Sequence, residues 1–217
     1  MSQLAVIFDV DGVLVDSYQP HYQSWRRLFN ELDVEYSEQT FRDTFGRTNR
    51  DIFTTLFPGE LSEDRLKELG DLKEEYYREI IRENFPPMPG AVKLMDGLSA
   101  AGILIAVGSS GPPENIALTL EKLGRSDAIG AAITAADVTR GKPDPQVFLL
   151  AAERLEVPPA NCAVIEDAFH GIEAANRAGM TSIGLTSTTT REALAAADLV
   201  IDRLDELTPQ RIRSLVE

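Results

Sequence analysis

The sequence predicts an α/β protein: a mainly parallel sheet flanked by helices, with an all-helical segment inserted after the first strand. Three observations carry this. Short, continuously apolar runs recur along the chain and alternate with stretches of helical spacing, as in successive βαβ units. The segment from Tyr18 to Phe85 breaks that alternation. The first apolar run, Leu4-Ala5-Val6-Ile7-Phe8, ends in Asp9-Val10-Asp11-Gly12. That places two carboxylates at the carboxyl end of a buried strand, where open α/β sheets hold their sites.

The elements follow in order. The run 4–8 is continuously apolar, as expected of a strand covered on both faces. Side chains at i and i+2 of a strand share a face, so Asp9 and Asp11 should project together. Close carboxylates repel unless a cation or a proton sits between them. The pair therefore predicts a metal, or a nucleophile beside an acid/base; an Asp-Gly turn capping the strand is the plainer alternative. Further strands are expected at Ile103–Val107, Ala131–Ile133, Ala163–Ile165, Thr181–Leu185 and Leu199–Ile201. Helices are expected at Ala91–Ala101, Pro113–Leu123, Pro145–Leu155 and Gly171–Ala178. Proline at the beginning of the second of these and Gly124 after it are start and stop signals in the right order.

The inserted segment shows no buried strand. Trp25, Leu28, Phe29 and Leu32 fall at helical spacing. Phe53, Leu56 and Phe57 suggest another helix, and Leu61–Arg82 a long one. The return at Pro86-Pro87-Met88-Pro89-Gly90 is stiff and punctuated. Residues 1–16 and 88–217 are thus expected to form the core and 17–87 a helical cap. The crossings near Asp16-Ser17 and at the prolines make a hinge plausible on topology alone.

At 217 residues the chain can hold a large domain with an insert, and 43% hydrophobic residues suffice for a real core. A net charge of −14 argues against a nucleic-acid partner. An anionic substrate would need local Lys and Arg to draw it in against that field. The single Cys162 cannot form an internal disulfide, and its apolar setting suggests a buried structural thiol. No secretory signal and no membrane-length apolar run is visible. A reducing, cytoplasmic setting is expected. Oligomeric state is not readable, and a monomer is the default.

Residues Phe8-Asp9-Val10-Asp11-Gly12-Val13-Leu14-Val15-Asp16-Ser17 resemble the first motif of the haloacid dehalogenase superfamily, in its phosphatase and β-phosphoglucomutase-like branch. Val107-Gly108-Ser109-Ser110 resembles the second motif, Gly141-Lys142-Pro143-Asp144-Pro145 the third, and Val164-Ile165-Glu166-Asp167-Ala168 the fourth. The resemblance covers nearly the whole chain and implies a Rossmann-like core with a four-helix-type cap. Singly, each residue has a plainer reading. Lys142 could be a solvated loop lysine, Ser109 a helix cap, and Glu166-Asp167 an acidic pair favoured by a helix dipole.

The resemblance implies phosphate-ester chemistry. Asp9 would be the carboxylate nucleophile, forming an aspartyl-phosphate, and Asp11 the acid and base. Lys142 would hold Asp9 and the phosphoryl group, and Ser109 with nearby N–H groups would bind phosphoryl oxygens. The cofactor would be Mg²⁺, with Asp9, Asp11, Glu166 and Asp167 around it. Asp11 would contribute through its backbone carbonyl, and Glu166 as a ligand or from just behind. A halide-displacing enzyme would not need Asp11 and the acidic pair. A Schiff-base phosphonate hydrolase would need a cap lysine that Ser17–Arg27 lacks.

Substrate choice is expected in the insert, at His21, Phe45, Gly46, Arg47, Thr48, Asn49, Arg50 and Lys73, with Ser110 and Gly111 in the core. His21 and Trp25 match the spacing of β-phosphoglucomutases. Asn49, where those mutases carry an arginine, and Gly111-Pro112-Pro113 depart from them. The expected function is a Mg²⁺-dependent phosphatase of a small phosphorylated metabolite. The alternatives are a sugar-phosphate mutase and a non-catalytic binding protein of the same fold.

Overall fold

The computed structural model describes residues 3–44, 46–59 and 61–217. Its strands are β1 (Ala5–Phe8), β2 (Leu104–Gly108), β3 (Ile129–Ile133), β4 (Cys162–Glu166), β5 (Thr181–Leu185) and β6 (Leu199–Ile201). In chain order the α-helices are α1 (Tyr18–Glu31), α2 (Glu38–Thr44), α3 (Asn49–Leu56), α4 (Glu63–Glu83), α5 (Ala91–Ala100), α6 (Pro113–Leu123), α7 (Gln146–Arg154), α8 (Phe169–Arg177) and α9 (Pro209–Val216).

The strands form one sheet in the order β3-β2-β1-β4-β5-β6, every neighbouring pair parallel. β1 is paired on both sides, Ile7 lying opposite Ala106 and Val164. Its four residues are buried, which is why the run is apolar without alternation. Ala5 and Ile7 pack with Val147, Phe148 and Ala151 of α7 and Ala174 and Ala175 of α8. Across the sheet, α5 packs on β2 and α9 on β4. The strand order reverses between β1 and β4, the crevice where such sheets hold ligands.

The chain divides into two compact units, Met1–Asp16 with Pro86–Glu217, and Ser17–Phe85. The outgoing and returning crossings run side by side: Asp16 N–H donates to the Pro86 carbonyl at 2.9 Å and Met88 N–H to the Leu14 carbonyl at 3.0 Å. The helical unit has a core of its own, built on Trp25, Leu28, Phe29, Phe41, Ile52, Phe53, Leu66 and Leu69. Trp25 meets Phe53 edge-on at 5.1 Å, and Phe29 stacks on Tyr36 at 4.4 Å. Each such pair adds about 0.5–1.5 kcal/mol beyond area burial.

Several boundaries move for local reasons. The long helix begins at Glu63 instead of Leu61, because the Ser62 hydroxyl accepts the Arg65 N–H at 3.3 Å. α8 begins two residues before Gly171, with Ala168 in the extended N-cap position. α7 begins at Gln146, with Pro145 just outside. Two short helices escape the sequence reading. α2 buries only Phe41 and Thr44, too few for a periodic pattern. α9 buries only Ile212, although Thr208 capping it and Pro209 at its first position are start signals. Cys162 is fully buried in β4, and burial pushes its thiol up to about 11. No helix among the described residues is long and apolar enough to cross a membrane.

Candidate active site

The carboxyl ends of β1 and β4 carry the acids. Asp9 directly follows β1, and its N–H still donates to the Ile165 carbonyl of β4 at 2.9 Å. The chain then turns sharply: the N–H groups of Val13, Leu14 and Val15 all point at the Val10 carbonyl, at 2.8–3.2 Å. Gly12 takes φ +75°, and a Cβ there would stand 2.1 Å from Asp167 Oδ2. Only glycine lets this turn lie against the end of β4. Asp9 and Asp11 are thus brought together by a turn instead of by a continuing strand. Asp11 is half-buried, its Oδ2 on the side of Gly111.

Lys142 joins the two strand ends. Its ammonium donates to Asp9 Oδ1 at 2.5 Å, Glu166 Oε1 at 2.6 Å and the Gly108 carbonyl at 3.1 Å. All three N–H bonds of the ammonium are used, and it also lies 4.9 Å from the centre of the buried Phe148 ring. Burial alone would lower its pKa, but Asp9 and Glu166 outweigh that and hold it above the ordinary lysine range. Lys142 is therefore not a solvated loop residue.

Glu166 is tied into the protein through both oxygens. Oε1 takes Lys142, and Oε2 accepts the N–H groups of Asp167 and Ala168, each at 2.8 Å. A Cβ on Gly171 would come within 1.9 Å of this carboxylate, so that glycine makes room for it. Glu166 thus holds both Lys142 and the backbone that follows β4.

Asp9 and Asp167 are the strained acids. Burial raises Asp9 to about 7; Lys142 opposes this, and the charges of Glu166 and Asp11 add to it. Burial, then the charges of Glu166 and Asp9, raise Asp167 well above the usual carboxylate range. Three buried carboxylates, Asp9, Glu166 and Asp167, interact with the one ammonium of Lys142, so this group is short of positive charge. A hard cation would supply it. Among the described residues no three Asp, Glu, His or Cys side chains converge to hold a metal by themselves. Asp9 and Asp167 are two buried oxygen donors, and a cation there would complete its shell from backbone carbonyl and water. Mg²⁺ commonly keeps several waters, and the all-oxygen donor set fits it.

Ser109, at the end of β2, is buried, and its Oγ accepts the Gly111 N–H at 3.0 Å. Its own hydroxyl proton is thereby left to donate to a ligand. Ser110 is exposed and Gly111 half-buried beside Asp11. Ser109, Gly111, Asp11, Asp9 and Lys142 are thus gathered at neighbouring strand ends.

The residues expected in the insert separate into two groups. His21, Lys73 and Asn49 come together: Lys73 Nζ lies 2.8 Å from His21 Nδ1 and 2.9 Å from Glu74 Oε1, which also accepts from Asn49 Nδ2 at 2.8 Å. Lys73 is buried, and Tyr77 stacks on His21 at 4.1 Å. Glu74 was not anticipated. The others do not join them. Thr48 caps α3 by accepting the Asp51 N–H at 3.1 Å, Arg50 pairs with Glu63 on the surface, and Gly46 and Arg47 are exposed. Phe45 lies outside the described residues.

Sequence reasoning also missed Ser187 and Thr188 after β5. Ser187 Oγ donates to the Gly12 carbonyl at 2.6 Å, and Thr188 Oγ1 donates to Asp167 Oδ2. The hydroxyl run Thr186-Ser187-Thr188-Thr189-Thr190 at a strand end was the available signal.

Residues 4–179 match the model of the haloacid dehalogenase-like hydrolases. The chain is 34% identical over 210 residues to validoxylamine A 7′-phosphate phosphatase of Streptomyces hygroscopicus subsp. limoneus, covering 93% of this chain and 94% of that one. It is 31% identical over 211 residues to β-phosphoglucomutase of Bacillus subtilis (strain 168), covering 94% and 91%. The crystal structure of β-phosphoglucomutase from Clostridium difficile superposes with a TM-score of 0.87 at 30% identity, covering 99% of this chain and 97% of that one. The family match spans most of the chain, over the same strand ends that gather the acids around Lys142. The protein is an enzyme of the haloacid dehalogenase-like hydrolase family, in the branch that holds phosphatases and β-phosphoglucomutases.

Proposed function

We propose that the protein is a Mg²⁺-dependent phosphatase of a small phosphorylated metabolite, with Asp9 as nucleophile. The observation that carries this is the bridge of Lys142 between Asp9 and Glu166. It holds Asp9 by Oδ1 and leaves Oδ2 without a hydrogen bond among the described residues. An ester phosphate in the crevice would meet Lys142 and the Ser109 hydroxyl at its oxygens, with Oδ2 in line to attack.

Attack forms the Asp9 Oδ–phosphorus bond as the phosphorus–ester oxygen bond breaks, and Asp11 gives its proton to the leaving oxygen. Asp11, now ionised, takes a proton from water. That water attacks the phosphorus, releasing inorganic phosphate and restoring both acids. A cation held by Asp9 and Asp167 would neutralise phosphoryl charge during transfer. Glu166 keeps Lys142 aimed, and Gly12 keeps the turn tight against β4.

The mutase reading is kept by the similarity to β-phosphoglucomutases. A mutase must hold two phosphates. In the helical unit Lys73 is paired with Glu74, Arg50 with Glu63, and Asn49 with Glu74, and Pro112 before α6 and Pro113 at its first position supply no N–H. These commitments favour hydrolysis.

The test is phosphate release over a panel of small phosphate esters, sugar phosphates first, with Mg²⁺, with EDTA, and with Ca²⁺ in place of Mg²⁺. Turnover is expected with Mg²⁺ alone, because Ca²⁺ prefers a larger, looser shell. Full activity after thorough chelation overturns the metal requirement. Efficient, bisphosphate-primed conversion of β-glucose 1-phosphate with little phosphate released replaces the phosphatase by the mutase.

A further inference from the structure

We infer that Ser187 and Thr188 are positioning residues: a two-hydroxyl clamp at the end of β5 that fixes the Asp167 carboxylate and the Asp9–Gly12 turn for cation binding. β1, β4 and β5 are neighbours in the sheet, so their carboxyl ends deliver three segments to one place. The segment after β5 is anchored first at its base. Thr186 N–H donates to the Ile201 carbonyl at 3.0 Å, and Thr186 Oγ1 donates to Asp202 Oδ1 at 2.8 Å. Further on, Thr190 Oγ1 accepts the Ala193 N–H at 3.3 Å and starts the next turn.

Between these anchors two consecutive hydroxyls reach different segments, the turn after β1 and the residue after β4. Ser187 Oγ donates to the Gly12 carbonyl at 2.6 Å. Thr188 Oγ1 donates to Asp167 Oδ2 and lies 3.5 Å from the Asp167 carbonyl. The Thr188 methyl closes the gap from the other side, 2.9 Å from where a Cβ on Gly12 would be. Thr188 is thus wedged between the glycine of the nucleophile turn and the carboxylate at the end of β4.

The chemical consequence is orientation. A carboxylate rotates about a broad torsion at its last bond. A hydroxyl on Oδ2 fixes that plane and leaves Oδ1 as the oxygen presented elsewhere. The neighbouring hydroxyl holds the backbone that follows Asp11, the other candidate source of a ligand oxygen. Partners of this kind behind a ligand change metal affinity by roughly 10–100-fold when removed.

This inference rests on the proposed Mg²⁺-dependent reading, and the test separates the two. Mg²⁺ binding to the metal-free full chain is measured by isothermal titration calorimetry for wild type, Thr188→Val, Thr188→Ser and Ser187→Ala, alongside the metal-free Tm of each. Thr188→Val keeps the shape and removes the hydroxyl. It is expected to weaken Mg²⁺ binding by about 10–100-fold while its metal-free Tm stays within about 4 °C of wild type. Thr188→Ser restores the hydroxyl and is expected to bind Mg²⁺ within about threefold of wild type, well short of the loss that removing such a partner brings. Ser187→Ala should fall between them. Wild-type affinity in Thr188→Val overturns the clamp and leaves the phosphatase reading standing. A loss in Thr188→Ser as large as in Thr188→Val assigns the effect to methyl packing and also overturns it. Wild type that binds no Mg²⁺ overturns the clamp and the cation-dependent reading together.

Discussion

Each unit buries a lysine, and the two differ in what surrounds them. In the helical unit Lys73 has one carboxylate partner, Glu74. Burial would raise Glu74, but Lys73, His21 and the Asn49 hydrogen bond outweigh it and hold Glu74 down at about 2. In the α/β unit Lys142 has two carboxylate partners, with Asp11 and Asp167 close behind. There the acids move the other way, Asp9 up to about 7. One ammonium against one carboxylate is a settled ion pair. One ammonium among three buried carboxylates is a group short of positive charge. The direction in which a buried acid shifts thus separates a pair that holds structure from the group to which the proposed function assigns a cation and a phosphate.

The comparison can be broken most sharply at Asp9. Asp9→Asn keeps the shape and removes the attacking charge. Turnover is expected to fall by at least about a thousandfold, the scale of losing a nucleophile. Removing one of several repelling acids should leave the metal-free Tm at or above wild type. Substantial phosphate release from well-folded, wild-type-free Asp9→Asn would show that another group attacks.

Glu74→Gln sharpens the contrast by stability instead of turnover. Glu74 lies below its ordinary 4.5, so its contribution is fully present above about pH 4.5 and is lost as pH falls towards 2. It amounts to on the order of 3 kcal/mol at neutral pH. Asp9 has the opposite sign. It is raised from 3.8 to about 7, so metal-free stability is highest, as far as Asp9 is concerned, below about pH 4 and declines as pH rises to about 7. Denaturant melts of metal-free protein across pH 2–8 should show Glu74→Gln without the acid-side loss and Asp9→Asn without the decline towards neutrality. A Glu74→Gln protein that keeps full stability and loses turnover as completely as Asp9→Asn would collapse the distinction between the two clusters.

The smallest effect is expected at Arg50. Its pair with Glu63 is exposed on both sides, where screening and side-chain entropy leave little net gain. Arg50→Ala should leave Tm and turnover unchanged within error. A loss of substrate affinity, read as a raised KM at unchanged kcat, would restore the substrate role expected for it from its sequence position.

Local rules were enough for much of this molecule. A continuous apolar run is a strand buried on both faces whatever its neighbours turn out to be, so β1 and its sisters were legible. So was the helical insert, because Trp25, Leu28 and Phe29 repeat at helical spacing along one chain segment. Motif order located Asp9, Asp11, Ser109, Lys142 and Asp167. Tertiary structure alone decided what each of them touches. Lys142 meets Asp9 and Glu166 only because β1 and β4 are neighbours in the sheet. Thr188 reaches Asp167 only because β5 lies next to β4. Glu166 holds Lys142 and accepts two backbone N–H groups, ties that sequence spacing does not weigh. Arg50 and Asn49 are one residue apart in sequence, yet one pairs on the surface and the other enters the Lys73 cluster. Periodicity and turn chemistry act over a few residues and are written in the sequence. The charge balance of a buried site sums over groups far apart in the chain, and only folding brings those groups to their distances.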